Sequence, residues 1–61
     1  MIIRISPEQA HEIITKKTPL GLFYVIDGYD IIAINNSQGQ AETNIFRTLL
    51  GCKRWLREGS K

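Results

Sequence analysis

The sequence predicts a small α+β domain in which a three-stranded antiparallel sheet carries two helices, in the order α-β-β-β-α. Three observations lead to this fold class: a helix-capping sequence near the N-terminus, two apolar runs separated by Asp-Gly, and a final amphipathic segment. Isoleucine supplies ten of the 61 residues, which favours a sheet over an all-helical bundle. We expect residues 1–61 to form one domain, too small to wall off a deep catalytic cleft.

The first helix is predicted to begin at Ser6-Pro7-Glu8-Gln9. Serine caps helix starts, proline suits the first helical position, and a glutamine three residues after the serine completes a capping box. Three apolar residues then share one face of this helix: Ala10, Ile13 and Ile14. Pro19 disfavours helical geometry at the preceding residue, so the helix should end near Lys17. Residues 1–5 form either a short edge strand or a lead-in to the helix.

Two strands are predicted over residues 20–26 and 31–35, because both runs are rich in β-branched and aromatic residues. The Asp-Gly pair between them indicates a hairpin. A two-residue loop pairs Ile26 with Tyr29, whereas a four-residue loop pairs Ile26 with Ile31. Both registers place the same residues on the same face, since side chains alternate with period two.

A third strand is predicted over residues 41–46, after a polar turn in which Gly39 can adopt a positive φ. The last helix should begin at Thr48, a capping residue, and run to Glu58, with Gly59 ending it. The apolar faces of these elements predict a core: Ile13, Phe23, Ile32, Ile34, Leu49 and Leu56.

The second face of the predicted sheet is the first candidate functional surface. If both helices cover one face, the other exposes an apolar patch, which is typical of an interface. That patch comprises Leu22, Tyr24, Ile26, Ile31 and Ala33. It predicts a non-catalytic module that binds a protein, either a host protein or a second copy of the chain. In the alternative arrangement the helices lie on opposite faces and bury both.

Basic residues concentrated near the C-terminus give a second hypothesis. The formal net charge is only +2, but five of the eight basic residues fall in the last fifteen positions. These are Arg47, Lys53, Arg54, Arg57 and Lys61. A basic last helix could contact nucleic-acid phosphates. Alternatively, the positive charges only complement the helix dipole and keep the surface soluble.

Catalysis, metal binding and cofactors are not expected, because the residues that they need are scarce. His11 and Cys52 are the only histidine and cysteine, too few for a closed zinc site. We expect His11 at or near the surface and Cys52 as a small buried residue. Asp27 and Asp30 do not have the spacing of a calcium loop and fit turn chemistry instead.

A set of short segments resembles very small phage and prophage accessory proteins of Gram-positive bacteria. The segments are Gly21-Leu22-Phe23-Tyr24, Ile32 to Ser37 with Gly39, then Phe46 and Trp55-Leu56. The resemblance implies a phage-derived, cytoplasmic, non-catalytic accessory protein. A cytoplasmic location and no membrane association are also expected, because no leader-like sequence follows Met1 and no apolar run approaches the length of a membrane span.

Overall fold

The chain begins with a strand, in the segment that the sequence left open between a strand and a lead-in. The order is β1 (Ile2–Arg4), α1 (Pro7–Lys16), β2 (Gly21–Asp27), β3 (Asp30–Asn36), β4 (Glu42–Phe46) and α2 (Leu49–Arg57). The computed structural model describes residues 1–59. Both helices and the α+β class are confirmed.

The sheet differs from the predicted one. It has four strands in the order β1-β2-β3-β4, and β1 runs parallel to β2 while the other neighbours are antiparallel. The sheet is therefore mixed, not a three-stranded antiparallel sheet. The parallel pair follows from α1, which carries the chain back to the end of the sheet where β1 began. A strand of three residues is too short for an alternating pattern to reveal it.

Local capping fixes the starts of both helices, as predicted. The Gln9 backbone N–H donates to Ser6 Oγ at 3.2 Å, and the Ser6 N–H donates to Gln9 Oε1 at 3.0 Å. The Gly51 N–H donates to Thr48 Oγ1 at 3.1 Å at the start of α2. Helix α1 ends at Lys16, and the left-handed φ of 62° at the cap residue Lys17 terminates it two residues before Pro19.

The β2–β3 hairpin adopts the register that pairs Ile26 with Ile31. Pairing continues one step further, to Asp27 and Asp30, so the loop itself has two residues. Gly28 takes a φ of 63° at the first loop position. A positive φ there matches the turn to the twist of the strands, which explains why glycine follows Asp27.

The core consists of two layers, one on each side of the sheet. The first layer, on what we call the α1 face, contains Ala10, Ile13, Phe23, Val25, Ile34 and Ala41, with Ile5 and Ile32 packed against it. The second, on the α2 face, contains Ile31, Ala33, Cys52 and Leu56, with Ile2, Leu22, Tyr24, Phe46 and Trp55 around it. The helices therefore lie on opposite faces of the sheet.

Four of the six predicted core residues are buried: Ile13, Phe23, Ile34 and Leu56. Two of the predictions need correction. Leu49 remains 38% exposed in the first turn of α2, and Ile32 is only partly buried. Leu56 also belongs to the α2 layer, so the predicted single core is two half-cores separated by the sheet.

Candidate functional site

The predicted interaction face is the surface on which α2 packs. Ala33 is completely buried and Ile31 is 9% exposed, while Leu22 and Tyr24 are half-buried around them. Ile26 is the most exposed of the five, at 38%. The premise that this face is open is therefore wrong. Both faces of the sheet are apolar, and placing one helix on each removes more apolar surface from water than stacking both on one.

The four predicted basic residues that the structure describes divide into three groups. Arg54 and Arg57 are exposed on α2. Arg47 is engaged elsewhere, with its Nε 3.2 Å from Asp30 Oδ1 in a solvent-exposed ion pair. Lys53 is half-buried, and its Nζ lies 5.9 Å from the centroid of a tyrosine ring. Lys61 lies outside the described residues.

Lys53 lies over the ring of Tyr24 on β2, and Arg4 is the neighbour of Tyr24 in the sheet. Arg4 of β1 is the register partner of Tyr24, so both side chains point to the α2 face. Arg57 follows Lys53 by four residues and lies on the same flank of α2. Arg54 precedes Arg57 by three residues and neighbours it on the helix surface. We call Arg4, Lys53, Arg54 and Arg57, together with Tyr24, the basic surface. Sequence reasoning missed Arg4 because its placement depends on the parallel pairing of β1.

His11 and Cys52, the residues most often used in catalysis, are separated by the sheet. His11 is exposed on α1, whereas Cys52 is fully buried in the α2 layer. Burial raises the pKa of the Cys52 thiol, while the nearby positive charge of Lys53 opposes that rise. A thiol held in its neutral form has low nucleophilicity. The structure therefore assigns Cys52 a packing role.

This burial predicts a pH dependence of stability. Because its pKa is higher in the folded protein than in the unfolded chain, Cys52 contributes stability that is complete below the ordinary thiol pKa of about 8.5. That contribution is lost as the pH rises above this value towards the folded-state pKa. We expect the urea-unfolding free energy to fall more steeply above about pH 8.5 for the wild type than for Cys52→Ala. Parallel slopes for the two proteins would contradict the assignment.

A second apolar surface, which the sequence did not reveal, lies on the α1 face. Ile32 of β3 and Ile45 of β4 are register partners, and Ile45 is 61% exposed. Ile14 of α1, 39% exposed, shares with Ile32 a shallow hollow of about 230 Å³. We call Ile14, Ile32 and Ile45 the apolar surface. It stays open because α1 packs mainly over β2 and does not extend over Ile45 of β4.

The described part of the chain shows no metal-ligand cluster. Within residues 1–59 no group of three or more His, Cys, Asp or Glu side chains is placed to hold an ion. Asp27 and Asp30 pair across the hairpin end, which agrees with the turn role predicted for them. No helix among residues 1–59 has the length and apolar character needed to cross a membrane.

Comparison of the chain with protein-family models, curated proteins and solved structures finds no match. The resemblance to phage and prophage accessory proteins therefore stays a prediction, and function must be argued from the geometry of the two surfaces.

Proposed function

We propose that this chain is a non-catalytic binding domain that associates with protein through its apolar surface. The observation that carries the proposal is Ile45, which exposes 61% of its surface on the outermost strand of the sheet. When a partner covers an exposed isoleucine and its two apolar neighbours, the free energy of the complex falls by about 25 cal/mol per Å² of apolar area buried.

The contact uses side chains rather than addition of a strand. β4 is an edge strand, and such edges readily pair with another chain unless they are blocked. The Ile45 backbone N–H already donates to the side-chain Oδ1 of Asn44 at 2.9 Å. A strand added here would have to displace that hydrogen bond. The hollow between Ile14 and Ile32 instead suits an apolar side chain of the partner.

A second copy of the chain is the simplest such partner, because two apolar surfaces of the same kind cover each other in a two-fold dimer. Dimerisation would also stabilise a chain that has little core of its own. A host protein with an apolar contact residue is the other partner that the sequence predicted. Both partners fit the phage-derived accessory role that the resemblance implies.

Ile45→Lys is expected to abolish the association and leave the domain folded, because the side chain is mostly exposed before the change. Leu50→Lys is the matched control, since Leu50 is 65% exposed on α2 at the opposite face. Sedimentation velocity over a range of concentrations measures self-association, and co-purification from host lysate measures other partners. Circular dichroism checks the fold of each variant.

The two variants distinguish a specific contact at the apolar surface from non-specific hydrophobic association. If the apolar surface is the contact, Ile45→Lys loses the dimer or the co-purifying protein while Leu50→Lys keeps it. If neither variant changes sedimentation or co-purification, or if both lose association equally, the contact lies elsewhere and the proposal is wrong.

A further inference from the structure

The basic surface lies across the sheet from the apolar surface and is independent of it. Its four cations come from two elements that are far apart in sequence, β1 and α2. Within the described part of the chain, none of these four side chains takes part in an ion pair, in contrast to Arg47. Uncompensated cations that the fold brings together form a positive potential towards which an anionic ligand is drawn.

Most of the acidic residues lie away from this surface. Glu8 and Glu12 lie on α1, and Asp27 and Asp30 lie at the hairpin end on the α1 face. Glu42 is on β4, at the opposite edge of the sheet from β1, and Glu58 follows Arg54 by four residues. The α2 side therefore carries more basic than acidic residues, although the net charge of the whole chain is only +2.

We propose that the basic surface binds single-stranded nucleic acid. Arg4, Arg54 and Arg57 would contact successive phosphates. Tyr24, which lies between Arg4 in the sheet and Lys53 above its ring, would provide an aromatic face for a base once Lys53 turns towards a phosphate. Cations that follow the backbone, combined with an aromatic ring on which a base stacks, are the means by which proteins bind single strands without reading sequence.

A single strand fits this surface better than a duplex. Proteins that read the major groove insert a helix whose exposed side chains contact base edges. The outward side of α2 offers Leu50 beside its two arginines, and the helix packs on the sheet through Cys52 and Leu56. Tyr24 is half-buried beneath Lys53, and the bases of a duplex are already stacked on one another, so a single strand is better able to place a base on this ring.

Fluorescence anisotropy with a labelled single-stranded DNA 12-mer and its RNA counterpart tests the proposal directly. We expect binding at low ionic strength, with log K against log salt falling at a slope of about −2 to −3, for three to four contacts at about 0.7 each. Arg57→Gln should weaken binding and reduce the slope by about 0.7. Tyr24→Leu should weaken binding about fivefold or more and leave the slope unchanged, because it removes stacking and no charge.

Lys16→Gln is the charge-matched control, since Lys16 is exposed at the end of α1 on the other face of the sheet. It should leave both affinity and slope as in the wild type. Equal weakening by Lys16→Gln and Arg57→Gln would mean that net charge alone attracts the oligonucleotide and would overturn the proposal. The absence of binding at the lowest salt would also overturn the proposal. The same holds for tighter binding to a duplex of the same sequence and for equal competition by polyglutamate. Arg57→Gln leaves the apolar surface intact, so this test and that of protein association fail independently.

Discussion

Replacing Ile34 with alanine is expected to lower the free energy of unfolding by about 2–5 kcal/mol, because it leaves a cavity where a fully buried side chain stood. Ile34 lies on β3, an inner strand, and packs in the α1 layer with Phe23 and Val25. A chain of this length has a total stability of only about 3–9 kcal/mol. The variant should therefore be largely unfolded or melt far below the wild type.

Ile45→Ala provides the control for this prediction. It removes the same atoms from the neighbouring strand, but at a position that is 61% exposed. We expect a loss below about 1 kcal/mol there, since little buried area disappears. Urea unfolding followed by circular dichroism measures both variants. Similar losses at the two positions would show that the α1 layer is not the core that the structure describes.

The features of the fold that sequence reasoning predicted are those encoded within a few residues of each other. The capping box at Ser6 and Gln9, the cap at Thr48 and the glycine of the Asp27 hairpin each depend on neighbours three or fewer positions away. Such contacts can be read from spacing alone. The α+β class and the bounds of most elements follow from them.

The arrangement of the helices around the sheet could not be read in the same way. Both faces of β2 and β3 are apolar, so the alternation of side chains does not show which face each helix covers. β1 could not be predicted either, because its three residues carry too little pattern to indicate a strand or its parallel direction. The predicted interaction face became core for this reason.

Both candidate surfaces depend on long-range features of the fold, namely strand pairing and the placement of the helices. Arg4 joins Lys53 only because β1 pairs with β2 and α2 covers that side of the sheet. Ile45 remains exposed only because α1 stays over β2. The sequence correctly placed three basic residues on the last helix, Lys53, Arg54 and Arg57. Whether they contact nucleic acid stays a prediction.

A buried amide that the sequence did not single out ties two loops to the sheet. Asn36, at the end of β3, is fully buried. Its Nδ2 donates to the Pro19 carbonyl at 2.8 Å, and its Oδ1 accepts from the Ala41 N–H at 3.0 Å. One side chain thus fixes the connection before β2 and the turn before β4. Its partners are seventeen and five residues away, so no local pattern indicates this role.

Asn36→Ala is expected to lower the free energy of unfolding by about 2–4 kcal/mol, because both hydrogen bonds are lost and the buried Ala41 N–H is left without a partner. The matched control is Asn44→Ala, since Asn44 is exposed and its side chain bonds only the next backbone N–H, at 2.9 Å. We expect that control to lose less than about 1 kcal/mol.

Urea unfolding gives both free energies, and amide hydrogen exchange at Ala41 gives the local effect. Faster exchange at Ala41 in Asn36→Ala than in Asn44→Ala would confirm that the amide holds this turn. Equal exchange and equal stability in the two variants would mean that water replaces the Asn36 contacts at no cost, and that the turns are fixed by the sheet alone.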